Sequence, residues 1–287
     1  MVHARYPHGA IHQEGNLTKQ IMIDRRNPAL WIATIYNPPI NLINIDTILE
    51  LQALVAELET DPHLRVIVFR SADPDFFFAH WDVLTDNKKA AAMPNGPTGM
   101  YPWIDILARL SRAPVVSIAE IRGRARGSGS EFVLACDMRF ASPENAVLGP
   151  FEVGVGAAPG GNPMARLAGL LGRGRALEVV IGADDFPGAL AERYGYVNRA
   201  LPDAELEGFV DVFSKRIAGF EKHAIIGAKA LLDEVSLPPD TVFPPALKKF
   251  FISVEHPGTR ARVAAILQRG LQKRSDIEMS LGDAVAE

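Results

Sequence analysis

The chain has 287 residues, 48% of them hydrophobic, and sets 30 Lys and Arg against 34 Asp and Glu for a formal net charge of −4. That length suits one large core with a small appended unit, and the near balance of charge, without basic runs, argues against a nucleic-acid partner. No stretch reads as a signal peptide or approaches membrane-spanning length without charge, and a single cysteine, Cys136, allows no intrachain disulfide, so a cytoplasmic location is expected.

Residues 1–18, polar and rich in His and Gly, are expected to form a loosely held extension. Between Gln20 and Ile35 two apolar stretches flank Asp24-Arg25-Arg26-Asn27-Pro28, turn chemistry that predicts a hairpin. After Asn37-Pro38-Pro39, the residues Ile48, Leu51, Leu54, Val55 and Leu58 recur at helical spacing within 41–60, and Asp61-Pro62 ends that helix. Arg65–Arg70 reads as a buried strand, and the strand, helix, strand order favours right-handed crossovers in a layered α/β core. The alternation continues with a helix over Trp103–Leu110, a strand over Pro114–Ala119, a helix from Glu131, and short strands over Met138–Ala141 and Ala146–Leu148. From about Pro163 helices dominate: 164–171, 175–181, 189–194, 206–218, 223–235, and 247–273 with an interruption at His256-Pro257-Gly258. A helical region ending in a long amphipathic segment points to subunit contacts.

Chemistry concentrates in Ala125-Arg126-Gly127-Ser128-Gly129-Ser130-Glu131 and, downstream, Gly149-Pro150-Phe151-Glu152. Glycine on both sides of Ser128 lets a ligand approach the main chain, and unpaired NH groups at a helix start can face a developing negative charge. Glu131 in that position serves a helix dipole as well as it serves chemistry. Glu152 lies in an apolar, Gly-rich setting that raises a carboxyl pKa and suits proton transfer; a loop glutamate turned to water is the alternative. The run Phe76-Phe77-Phe78-Ala79-His80-Trp81-Asp82-Val83 follows a strand at the end where α/β sheets bind ligands. Its aromatics either wall an acyl pocket or plug the core edge. No dinucleotide fingerprint, phosphate loop or nucleophile elbow is present, and His63, His80, His223 and His256 lack metal-ligand spacing, so no metal is expected.

The ordered series Asn37-Pro38-Pro39-Ile40-Asn41, then 77–83, 127–137, Phe140-Ala141-Ser142-Pro143-Glu144-Asn145-Ala146, Leu148-Gly149 through Pro159-Gly160-Gly161, and Gly182 with Tyr194-Gly195-Tyr196-Val197 resembles the crotonase superfamily, the enoyl-CoA hydratase/isomerase family. The resemblance runs from about Gln20 to Gly270. It implies an α/β fold: a spiral of ββα units over 19–202 with a helical C-terminal region over 203–287, assembled as a homotrimer or hexamer. It also implies an oxyanion hole from the main-chain NH groups of Trp81 and Ser128, with Glu131 and Glu152 as the catalytic pair around a water that adds across the α,β double bond of an acyl-CoA thioester. Substrate contacts are then expected at Ala79, His80, Asp82, Gly127 and Phe151, with coenzyme A as part of the substrate and no separate cofactor. Members of the family usually carry Gly at the position of His80, a small residue at Trp81 and Gly at Ser128. Those departures keep open isomerisation, aromatic acyl-CoA hydration with cleavage, diketone hydrolysis, and a non-catalytic oligomeric scaffold.

Overall fold

The computed structural model describes residues 19–287, and the extension expected over 1–18 lies outside the described residues. Strands β1 (Ile21–Asn27) and β2 (Leu30–Ile35) pair antiparallel, and the Asn27↔Leu30 register leaves Pro28-Ala29 as the loop. The turn therefore comes later than the polar run over 24–28 suggests, because a register irregularity between Asp24 and Asn27 carries the strand through it. Helix α1 (Ile45–Thr60) starts at Asn44, whose side chain accepts from the Thr47 NH in a reciprocal cap, and it buries Ile48, Leu51, Leu54, Val55 and Leu58.

Three successive turns of chain then share one plan. The first runs through β3 (Val66–Ser71), β4 (Phe76–Phe78), a short α2 (Asn87–Ala91) and α3 (Pro102–Arg112). The second is β5 (Val116–Ile121), β6 (Arg124–Arg126) and α4 (Ser128–Ala135); the third is β7 (Met138–Ala141), β8 (Val147–Gly149) and α5 (Pro163–Leu171). Next come α6 (Arg173–Gly182), β9 (Phe186–Pro187), α7 (Gly188–Tyr194) and β10 (Arg199–Ala200). The leading strand of each turn joins a sheet ordered β1-β2-β3-β5-β7-β10, and the second joins a sheet ordered β4-β6-β8-β9. Within each turn series the neighbours are parallel, which requires a crossover that the helices supply. Strands β4, β6, β9 and β10 span two or three residues each, too few for an alternation to register in sequence.

The main core lies between these sheets and α1, α3 and α4, where Phe132 meets Phe69 and Phe78 edge to face with centroids 5.0 and 5.3 Å apart. Phe77 and Phe78 belong to this core, and Phe76 packs with Ile40 and Ala79, so the aromatic run is a core plug. On the other face of the larger sheet, α8 (Asp203–Ala218) buries Leu206 and Val210 against Val66, Val68, Ile118 and Phe140. Helices α9 (Lys222–Ser236), α10 (Phe243–Val254), α11 (Pro257–Arg269), α12 (Asp276–Met279) and α13 (Leu281–Ala286) complete the chain. The interruption expected at His256-Pro257-Gly258 separates α10 from α11: His256 caps the NH of Gly258 and Pro257 starts the new helix. Among the described residues no helix is long and apolar enough to cross a membrane.

Candidate active site

The chain beyond β4 is held on one edge only. Asn41, buried with φ +54°, accepts from the Asn37 NH through its side chain (2.7 Å), donates to the Phe76 carbonyl (3.0 Å), and accepts the Ala79 NH on its own carbonyl (3.2 Å). Ile43 then bridges Trp81 in parallel: the Ile43 NH donates to the His80 carbonyl at 2.9 Å and the Asp82 NH donates to the Ile43 carbonyl at 2.8 Å. In that pattern the NH and carbonyl of Trp81 itself face the opposite side, and among the described residues the Trp81 NH meets no acceptor. The Trp81 side chain packs half-buried on the main core.

Helix α4 starts at Ser128, three residues before the expected Glu131, after Gly127 at φ +51°. A Cβ on Gly129 would lie 2.1 Å from the Phe78 carbonyl oxygen, so the first turn of α4 abuts the end of β4 as only glycine permits. A Cβ on Gly127 would lie 3.4 Å from His80 Cβ, 3.0 Å from Phe151 Cε1 and 3.1 Å from Glu152 Oε1. These approaches bring the Trp81 segment, the helix start and Glu152 into one cleft. The Ser128 NH, one of the donors a helix start leaves without an intrahelical partner, also meets no acceptor among the described residues, and the Ser128 hydroxyl is buried without a partner.

The two glutamates differ in their surroundings. Glu131 is 3% exposed, and its carboxylate accepts from Trp103 Nε1 at 2.7 Å and from the Gly161 NH at 2.7 Å. Burial pushes its pKa up, against the pull of those two donors and of Arg166. Glu152 is half-buried, and its enclosed Oε2 has no partner. Burial, and then the Glu131 carboxylate, push Glu152 up to about 8. At neutral pH this favours a protonated Glu152, while the donors and Arg166 counter the burial of Glu131.

The remaining expected contacts fall around this cleft in different ways. Ala79 is buried against Ile40 and Phe76, while Phe151 packs on a C-terminal cluster with Val155, Leu281 and Val285 and touches the His80 ring edge-on at 5.3 Å. Asp82 accepts from Gln272 Nε2 at 2.8 Å. His80 is buried with Nδ1 2.7 Å from the Trp81 carbonyl oxygen and Nε2 2.9 Å from Glu278 Oε1. Trp103, Gly161, Gln272 and Glu278 escaped the reading of the sequence. Gly161 stands inside a motif that already carries the resemblance, whereas nothing local connects Trp103 to Glu131 or Glu278 to a residue 198 positions away. Among the described residues no group of three or more His, Cys, Asp or Glu is placed to hold a metal ion. Cys136 is buried in the core, where burial pushes its thiol pKa far up.

Comparison with known proteins identifies the family. Residues 25–237 match the enoyl-CoA hydratase/isomerase family. The chain is 31% identical over 176 residues to a short-chain-enoyl-CoA hydratase of Clostridium acetobutylicum, covering 61% of this chain and 66% of that protein. It is 30% identical over 194 residues to a crotonyl-CoA hydratase of Syntrophomonas wolfei, covering 68% of this chain and 74% of the other. The crystal structure of a candidate enoyl-CoA hydratase from Streptomyces avermitilis superposes with a TM-score of 0.89 at 44% identity, over 95% of this chain and 99% of that one. By the extent of the family match and by its ββα spiral, the chain belongs to the enoyl-CoA hydratase/isomerase family.

Proposed function

We propose that the protein is an enoyl-CoA hydratase-like lyase acting on an α,β-unsaturated acyl-CoA thioester. The observation that carries the reading is a pair of enclosed, unequally hydrogen-bonded carboxyls beside two main-chain NH groups that meet no acceptor among the described residues. The NH groups of Trp81 and Ser128 polarise the thioester oxygen and hold the negative charge that develops there. Glu131 takes a proton from water as its oxygen bonds to the β-carbon, and Glu152 delivers a proton to the α-carbon. The water thus supplies OH to the substrate and a proton to Glu131, while Glu152 gives up its own; exchange between the pair and solvent restores the start. Each main-chain donor of such a hole is worth roughly 3 kcal/mol of barrier, comparable to what a positioned acid or base contributes. The relatives named for hydration of short enoyl thioesters support the choice of reaction.

Glu152→Gln keeps the shape and removes the proton. Its kcat on crotonyl-CoA is expected to fall by about 10²–10⁴, with binding of the thioester retained in a calorimetric titration. Undiminished turnover in that variant would refute the assignment. Among the other reactions of the family, those needing a free histidine are disfavoured, since both ring nitrogens of His80 are engaged. The same reading includes a homotrimer or hexamer in the cytoplasm, supported by the unburied apolar residues of α9 and α10 and by the single, buried cysteine.

A further inference from the structure

His80 stands one residue before the Trp81 donor, and the side chain is 1% exposed. Its Nδ1 faces the Trp81 carbonyl oxygen, which can only accept, so Nδ1 carries a proton. Its Nε2 faces Glu278 Oε1, which also accepts from the Gln272 NH at 2.5 Å, and a second proton lies between Nε2 and that oxygen. The imidazole thus joins the Trp81 peptide to a fully buried carboxyl on α12. Three further contacts fasten the same segment: Gln272 Nε2 to Asp82, Arg124 Nη2 to the Met279 carbonyl at 2.9 Å, and Arg126 Nη1 to the Glu278 carbonyl at 2.6 Å. Arg126 is itself held by Asp185. The chain from Gln272 to Met279 is therefore strapped across the outer side of the strand that presents the Trp81 NH.

The strand needs such a partner. Ile43 secures the main chain of His80 and Asp82, but among the described residues the edge bearing the NH and carbonyl of Trp81 has no strand beside it. The His80 imidazole supplies the hydrogen bond that a neighbouring strand would otherwise make to that carbonyl, and leaves the NH free. A glycine there, usual in the family, offers no such bond.

We propose that His80 and Glu278 act as a positioning pair for the oxyanion hole: the imidazole fixes the orientation of the Trp81 peptide, and α12 fixes the imidazole. This rests on the hydratase reading, since it is the thioester oxygen that the Trp81 NH would meet. Neither residue touches substrate. Burial alone would raise the Glu278 carboxyl pKa, and the His80 imidazole and the Gln272 NH outweigh it and hold it low.

The test compares kcat and KM for crotonyl-CoA in the full chain, the His80→Ala and His80→Asn variants, and Glu278→Gln. An asparagine amide can replace Nδ1 toward the Trp81 carbonyl, while alanine cannot. His80→Ala is expected to lower kcat at least tenfold with KM within twofold, and His80→Asn to restore most of the loss. Glu278→Gln, which can still hold neutral imidazole with Nδ1 protonated, is expected to lose only severalfold. Nitrogen-15 NMR of the histidine rings should show a protonated Nδ1 in the wild-type protein. A folded His80→Ala with kcat within twofold of wild type overturns the proposal. So does an Nδ1 without a proton, or an equal loss in the alanine and asparagine variants that tracks a fall in Tm. Absence of turnover in the wild-type protein would instead remove the hydratase reading, and with it the catalytic role of the pair.

Discussion

Glu131 and Glu152 carry the same chemical group into one cleft and differ in what their oxygens meet. Two donors converge on Glu131, and none reaches Oε2 of Glu152. Glu152 is pushed up to about 8, so if it is the acid of the proposed hydration, kcat should hold at neutral pH and fall as pH rises through about 8. The limb belongs to the coupled pair, and a kcat–pH profile of crotonyl-CoA hydration reads it; in Glu152→Gln the residual rate should lose that alkaline limb. Trp103→Phe removes one of the donors that lower the Glu131 pKa, so the acid limb should move to higher pH and kcat should drop about tenfold or more, as a hydrogen bond to a charged group is worth roughly 1.5–3 kcal/mol. In the sequence alone Glu131 reads as well as a helix cap and Glu152 as a solvated loop residue, and only the family resemblance singles the two out as a pair. Their division of labour was not legible there, since it depends on an indole 28 residues before Glu131 and a main-chain NH 30 residues after it.

At the scale of elements, the site exists because α4 begins where β4 ends. Gly129 is the contact: any Cβ there meets the Phe78 carbonyl, a main-chain atom that cannot rotate away. Gly129→Ala should push α4 off the sheet, lowering stability by about 1–3 kcal/mol as overpacked sites do and reducing kcat by more than the lost stability alone would. Urea denaturation beside kcat measurement separates the two. Helix α9 offers a different case, for it buries no residue yet anchors Lys229, whose Nζ donates to the Ser111 carbonyl at 2.6 Å and pairs with Asp137. Asp137 in turn accepts from the Ser117 NH at 2.8 Å on β5. Lys229→Met should cost about 1–3 kcal/mol in denaturation, the usual penalty for stranding a partly buried acceptor, and leave kcat near wild type. The sequence pattern located α1 and α9 well, since the side-chain periods of both are long enough to register. It placed the start of α4 three residues late, because Ser128-Gly129-Ser130 has the composition of a loop and enters the helix only through packing against β4.

For the whole molecule, the C-terminal helices leave large apolar side chains uncovered. Leu231, Leu232 and Val235 on α9 and Ile252 on α10 are 64–83% exposed, an arrangement suited to burial against further copies of the chain. If the proposed trimer or hexamer forms through these residues, Val235→Asp together with Leu232→Glu should shift the protein to a monomer in sedimentation velocity with its helical circular dichroism retained; an unaltered sedimentation coefficient would overturn that role for them. Local sequence by itself determined the α/β alternation and the major helices and strands, because hydrophobic periodicity and turn chemistry act within a few residues. The tertiary structure alone decided that Phe76–Phe78 plug the core, that Trp103 and the Gly161 NH hold Glu131, and that His80 reaches Glu278. Those outcomes follow from contacts between segments brought together only by the winding of the sheets, and a hydrogen bond across 198 residues leaves no mark at either end of the sequence that forms it.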